Sequence, residues 1–121
     1  MIDIYNLKNI DFMGYTFNTN NASYHHLIIP RRKGGEETIE NGAVLNRNTS
    51  HPYLHIVESI DFERFLAITS AMIDENIMGK LDEKCIKRID DILNGFEKEY
   101  CNLRTKKGKY LIKEEYIKER R

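Results

Sequence analysis

His25-His26-Leu27-Ile28-Ile29-Pro30 and, downstream, His51-Pro52-Tyr53-Leu54-His55 hold all four histidines of the chain, with Asn41 between the two pairs. Neighbouring side chains of a strand point to opposite faces, so a strand ending at Pro30 sends His25 and His26 apart. Residues four apart on a helix share one face, so His51 and His55 can reach one ion. The pattern predicts three imidazoles, those of His25, His51 and His55, around a divalent cation. His26, on the far side of its strand, is left for proton transfer. Any one of these histidines alone would be read as structural or merely exposed; it is the joint spacing that carries the reading.

The same residues, taken with Gly34-Gly35, Glu40-Asn41 and Val44-Leu45, resemble the HNH nuclease family, most closely its colicin-type DNase variant. The resemblance spans residues 25–55 and leaves the flanks unexplained. It implies a ββα-metal fold, in which a two-stranded ribbon and a helix clasp one metal. Carried over by position, it makes His26 the general base and His25, His51 and His55 the metal ligands. Asn41 becomes the residue that fixes the loop behind the base. Many family members carry Asp where His25 stands, which leaves the ligand set and the preferred metal open.

A chain of 121 residues fits one domain, with an HNH core at about residues 22–58 and a helical C-terminal extension at about residues 60–121. The expected class is α+β. Lys plus Arg and Asp plus Glu both number 19, so the formal net charge is zero. Contact with nucleic acid must therefore come from local patches. Cys85 and Cys101 have no neighbouring cysteine with which to build a metal knuckle and read as reduced thiols of a cytoplasmic protein. There is no basic-then-apolar leader and no apolar run long enough to span a bilayer, so no membrane role is expected.

In chain order, residues 2–7 alternate loosely and suit an edge strand. Residues 10–17 and 22–29, separated by Asn18-Thr19-Asn20-Asn21, predict an N-terminal β-hairpin whose second arm delivers His25 and His26. Arg31 to Glu37 reads as a surface loop around two glycines, and residues 44–46 as the second short strand of the motif. Thr49 or Ser50 is the expected cap of a helix starting near His51. Apolar spacing continues from Leu54 to Ile73 with a break at residues 59–61, capped by Ser59 or Asp61, and a stop at Gly79. Cys85, Ile86, Ile89, Ile92, Leu93 and Phe96 mark the stripe of another helix beginning near Asp82. The tail packs Tyr110, Leu111, Ile112, Tyr116 and Ile117 on the core and ends in frayed residues.

Three imidazoles suit zinc, nickel or manganese more readily than magnesium. Glu40 and Glu58 could join the ligands directly or act through a ligand ring. Arg31, Arg32 and Lys33 follow His26 closely enough to meet DNA phosphates, with Lys106, Lys107 and Lys109 as a second patch. For both groups a solvated charge run is the plain alternative.

The leading expectation is a small metal-dependent endonuclease acting on double-stranded DNA with little sequence preference, leaving 5′-phosphate and 3′-hydroxyl ends. A phage or mobile-element origin would fit it. The rival is a non-enzymatic interaction protein on an HNH scaffold, such as a phage-encoded inhibitor of a host defence nuclease complex. In that case the C-terminal helices would meet a protein partner or a second copy of the chain.

Overall fold

The computed structural model describes residues 10–18, 20–26, 33–35, 42–75 and 83–120. Ala22–His26 (β1) and Gly42–Asn46 (β2) pair antiparallel, Ala22 opposite Asn46 and His26 opposite Gly42. Two five-residue strands are marginal by themselves in water, and this ribbon is held by what packs on it. Every residue of β2 is buried, whereas in β1 only His25 is. Gly42 is required where it stands: a Cβ there would collide with the Tyr24 ring and the His25 carbonyl.

Among the described residues four helices follow the ribbon: Ser50–Ile60 (α1), Phe62–Glu75 (α2), Glu83–Tyr100 (α3) and Glu114–Arg120 (α4). The molecule is therefore mixed α+β, an antiparallel two-stranded ribbon followed by helices. In α1, Ser50, Tyr53, Leu54 and Val57 are buried, the three-and-four spacing of one helical face. Asp61 ends α1 by donating its N–H to the Val57 carbonyl at 2.8 Å and opens α2 by accepting from the Arg64 N–H at 3.1 Å. The expected break thus falls at an aspartate that serves both helices. In α3, Cys85, Ile89, Leu93 and Phe96 are buried, and Cys85 faces the Ala71 carbonyl of α2.

Three expectations are corrected. Residues 10–17 do not form the first arm of a hairpin with residues 22–29. Ile10 makes a single bridge to Thr16, and β1 pairs with β2 instead. The reason is Asp11, whose buried carboxylate accepts the Met13 and Tyr15 N–H groups and winds the chain into a turn. Its other oxygen accepts the Asn46 N–H at 2.9 Å, tying that turn to the end of β2. The start of α1 is likewise not capped by the Thr49 side chain, which makes no cap bond. Asn46 Oδ1 accepts the N–H groups of Asn48 and Thr49 instead.

The third correction concerns the tail. The Arg120 side chain is 1% exposed and pairs with Glu97 at 2.7 Å and with Asp90. Glu97 also accepts the Tyr53 hydroxyl at 2.7 Å. A buried charge persists only when paired and hydrogen-bonded, so this cluster anchors α4 to α3 and both to α1. Ile112 and Tyr116 join the core as the sequence predicts, and the Tyr116 ring stacks on that of Tyr53, but Tyr110, expected there too, is exposed beside Arg104. The expectations for residues 2–7, Pro30, Gly79 and Asp82 fall outside the described residues.

Candidate metal centre

Strand alternation sorts the side chains of β1 as expected. Ser23 and His25 look toward α1, where Ser23 Oγ lies 2.7 Å from His51 Nδ1 and His25 Nδ1 lies 3.3 Å from His51 Nε2. Tyr24 and His26 share the opposite side, their rings edge to face at 4.8 Å. On α1, His51 and His55 stand one turn apart.

The three rings of His25, His51 and His55 form a nearly equilateral triangle, with centroids 5.1, 5.2 and 5.0 Å apart. Each ring offers a nitrogen within 4.8 Å of the others. A tetrahedral zinc site with Zn–N bonds of about 2.05 Å places its nitrogens about 3.3 Å apart. The His25 to His51 separation matches that edge. His55 is the looser member, with half its side chain exposed. Burial falls from His25 through His51 to His55, so the cluster is seated in the protein on one side and open to solvent on the other.

The electrostatics suit a cation. Burial pushes the His25 imidazole down to about 3, and the neighbouring His51, His55 and His26 push the same way. His51 is lowered too, by burial first and then by His55 and His26. Both rings are therefore neutral at pH 7, with lone pairs available and no proton to displace. Outer partners fix which nitrogens face inward. Glu58 Oε1 accepts from His55 Nδ1–H at 3.1 Å, which leaves Nε2 for an ion. Ser23 holds His51 Nδ1 and leaves its Nε2 directed at His25. Hydrogen bonds of this kind orient a ligand ring and raise its basicity.

No protein-family model matches the chain, and no curated protein or solved structure matches it. The centre is therefore argued from geometry alone. His25, His51 and His55, singled out by spacing, are brought together. His26 is on the other face of β1, its Nε2 buried and without a hydrogen-bond partner among the described residues. Lys33 is exposed. Asn41, Arg31, Arg32 and Glu40 lie outside the described residues. Of the two roles left open for Glu58, its position beside His55 Nδ1 favours the one played through a ligand ring.

Sequence reasoning missed Ser23, although alternation carries the signal: a residue two before His25 in a strand shares its face. It also missed Asp11, whose buried carboxyl is pushed up to about 6 by desolvation, against the lowering effect of the N–H groups of Asn46, Tyr15 and Met13. Nothing in the sequence around Asp11 separates it from an ordinary turn aspartate.

Proposed function

We propose that the chain is a divalent-metal-dependent endonuclease of the HNH type, hydrolysing phosphodiester bonds of double-stranded DNA. The observation that carries this reading is the convergence of one strand histidine and two helical histidines, in strand, strand, helix order, beside a fourth histidine on the reverse face of that strand. Three protein ligands with an open side are the arrangement of catalytic rather than structural sites, where the ion keeps a position for water or substrate. A bound ion would stabilise the developing phosphorane charge and the departing 3′ oxygen.

The chain's own residues then have separate tasks. The imidazoles of His25, His51 and His55 bring no negative charge as ligands and would leave the positive charge of an ion to the phosphate. Glu58, an acceptor, holds His55 with its proton on Nδ1, and Ser23 holds the orientation of the His51 ring. His26, an imidazole on the reverse face of β1, would take the proton from the attacking water. With Nε2 buried, Nδ1 is the ring nitrogen that would collect the proton. Asn41 would hold the loop behind it, and Arg31, Arg32 and Lys33 would meet the flanking phosphates.

Plasmid nicking tests the reading. Purified protein is incubated with supercoiled plasmid and Zn²⁺, Ni²⁺, Mn²⁺ or Mg²⁺, beside His26→Ala and His51→Ala. Nicking that needs metal and disappears in both variants is expected, with metal binding retained in His26→Ala. Metal binding without nicking on any substrate rejects the enzyme and supports an interaction protein on the same scaffold. One feature favours that second reading: Phe62, Leu66 and Ile73 are all at least 40% exposed, and their spacing of four and seven puts them on one face of α2.

A further inference from the structure

Between residues 101 and 113 the chain has no Asp or Glu and five basic residues, Arg104, Lys106, Lys107, Lys109 and Lys113. In a chain of zero net charge this is a local excess, and the structure gives it a shape. Residues 103–111 form a narrow antiparallel hairpin. Arg104 bridges Tyr110, the Leu111 N–H meets the Leu103 carbonyl at 2.9 Å, and the Thr105 N–H meets the Lys109 carbonyl at 2.6 Å. Gly108, at φ 81°, makes the turn, and open space surrounds the position a Cβ would take.

Every residue from 102 to 110 is exposed. Lys106, Lys107 and Lys109 pair with no acid among the described residues, whereas Lys113 faces Glu115 at 3.9 Å and the Tyr116 ring. Arg104 is held differently. Its guanidinium lies 4.4 Å from the centre of the Tyr110 ring and donates to the Tyr110 hydroxyl at 2.8 Å. A stacked guanidinium keeps its in-plane donors directed outward and loses less freedom when it meets a phosphate.

We propose that the hairpin at residues 103–111 is a DNA-backbone clamp, in which Lys106, Lys107 and Lys109 contact duplex phosphates and Arg104, braced by Tyr110, sets their orientation. Lysine ammonium groups are point charges on flexible stems, suited to phosphate contact rather than base reading. A two-stranded ribbon is narrow enough to follow a major groove. An anionic membrane is the poorer partner, because the tip Lys106-Lys107-Gly108 offers no apolar side chain to bury and Arg104 covers the Tyr110 ring. The inference takes its partner, DNA, from the proposed function but owes nothing to the metal centre, so the two can fail separately.

The test is fluorescence anisotropy of the full chain with a labelled DNA duplex in EDTA, titrated between about 50 and 200 mM salt. Each phosphate contact adds about 0.9 to the slope of log affinity against log salt. Combined Lys106→Ala, Lys107→Ala and Lys109→Ala should therefore lower that slope by about 2.7 and weaken binding about tenfold or more at the lowest salt. A control with Lys87→Ala and Lys98→Ala, exposed lysines of α3, should leave the slope unchanged. An unchanged slope in the triple variant, or no DNA binding by the parent protein, overturns the clamp. So does binding to mixed phosphatidylcholine and phosphatidylserine vesicles that the triple substitution abolishes while DNA binding persists. Metal-dependent nicking that survives in a triple variant with unaltered DNA affinity would reject the clamp and leave the nuclease reading standing.

Discussion

Ser23 Oγ lies 2.7 Å from His51 Nδ1, so the strand that supplies one ligand also sets the ring orientation of another. Glu58 does the same for His55 from within α1, at 3.1 Å. Losing such an outer partner typically costs about tenfold to a hundredfold in metal affinity. Ser23→Ala and Glu58→Gln should each weaken zinc binding by that order while circular dichroism stays that of the parent. Competition with a chromophoric chelator reads the affinity. Parent-like affinity in both variants would show that the two contacts do not position the rings.

Metal should also stabilise the fold, because the three imidazoles are brought together only in the folded chain. A ligand at a hundred times its dissociation constant adds about 2.7 kcal/mol. Thermal unfolding of the parent should therefore shift upward with zinc and return with EDTA, and His55→Ala should lose most of the shift. Removing this exposed ring costs little stability of its own, so it separates metal binding from folding. A shift retained in His55→Ala would place the ion elsewhere.

The histidine spacing made the three converging imidazoles readable because it depends only on two local periodicities, alternation in a strand and one turn of a helix. The cluster followed once those elements formed. The α1 to α2 break at Asp61 and the buried stripe of α3 were readable for the same reason. The turn at residues 10–17, in place of a first hairpin arm, was not. Which strand lies beside Ala22–His26 depends on whether residues 10–17 extend or turn. That choice is made by a buried carboxylate accepting an N–H from Asn46, far along the chain. Burial of Arg120 was hidden similarly. A charged residue near a chain end reads as solvated until Glu97 and Tyr53 are seen beneath it.

Two buried groups should give an ion-free protein an unusual pH profile. His25 is lowered from 6.5 to about 3, so the unfolded chain takes up the proton first. Stability from this group is complete above 6.5 and lost as pH falls toward 3, at roughly 1.4 kcal/mol per unit. Asp11 is raised from 3.8 to about 6, so the folded chain takes up that proton first. Its contribution is complete below 3.8 and lost as pH rises through 6. Between about 4 and 6 the Asp11 slope opposes that of His25, and that of His51, which burial also lowers, and so offsets part of the climb with pH. Asp11→Asn removes the opposing slope and should make stability climb more steeply with pH in this region. Urea denaturation in EDTA at several pH values measures this, and equal slopes in parent and variant would sink it.

Gly42 offers a sharper test of the ribbon. A side chain at this position meets both the Tyr24 ring and the His25 carbonyl, and overpacking of this kind typically costs about 1–3 kcal/mol. Gly42→Ala should therefore lower the denaturation midpoint. Because His25 moves with its carbonyl, zinc affinity should drop even under conditions where the variant remains folded. Unchanged affinity in folded Gly42→Ala would mean that β2 shifts at residue 42 and leaves the His25 ring in place.

Arg120 closes the α4 contact by donating to Glu97 at 2.7 Å while Tyr53 donates to the other oxygen of the same carboxylate. Removing Arg120 leaves the buried Glu97 carboxylate without its cation, which costs about 3–5 kcal/mol, whereas removing Glu97 leaves Arg120 still paired with Asp90 and donating to Asn94 at 3.0 Å. Replacing both with apolar groups removes the buried carboxylate along with its partner. Arg120→Met should thus be severely destabilising, Glu97→Leu less so, and the double variant less destabilised than Arg120→Met. Asp90, half-exposed, keeps its water when Arg120 is lost and adds little to the penalty. Since Tyr53 stands between His51 and His55 on α1, the single variants should also loosen zinc binding, and the double variant should recover part of it. A double variant as unstable as the sum of its parents would mean the pair stabilises the fold by its attraction, and would reject desolvation as the dominant cost at this site.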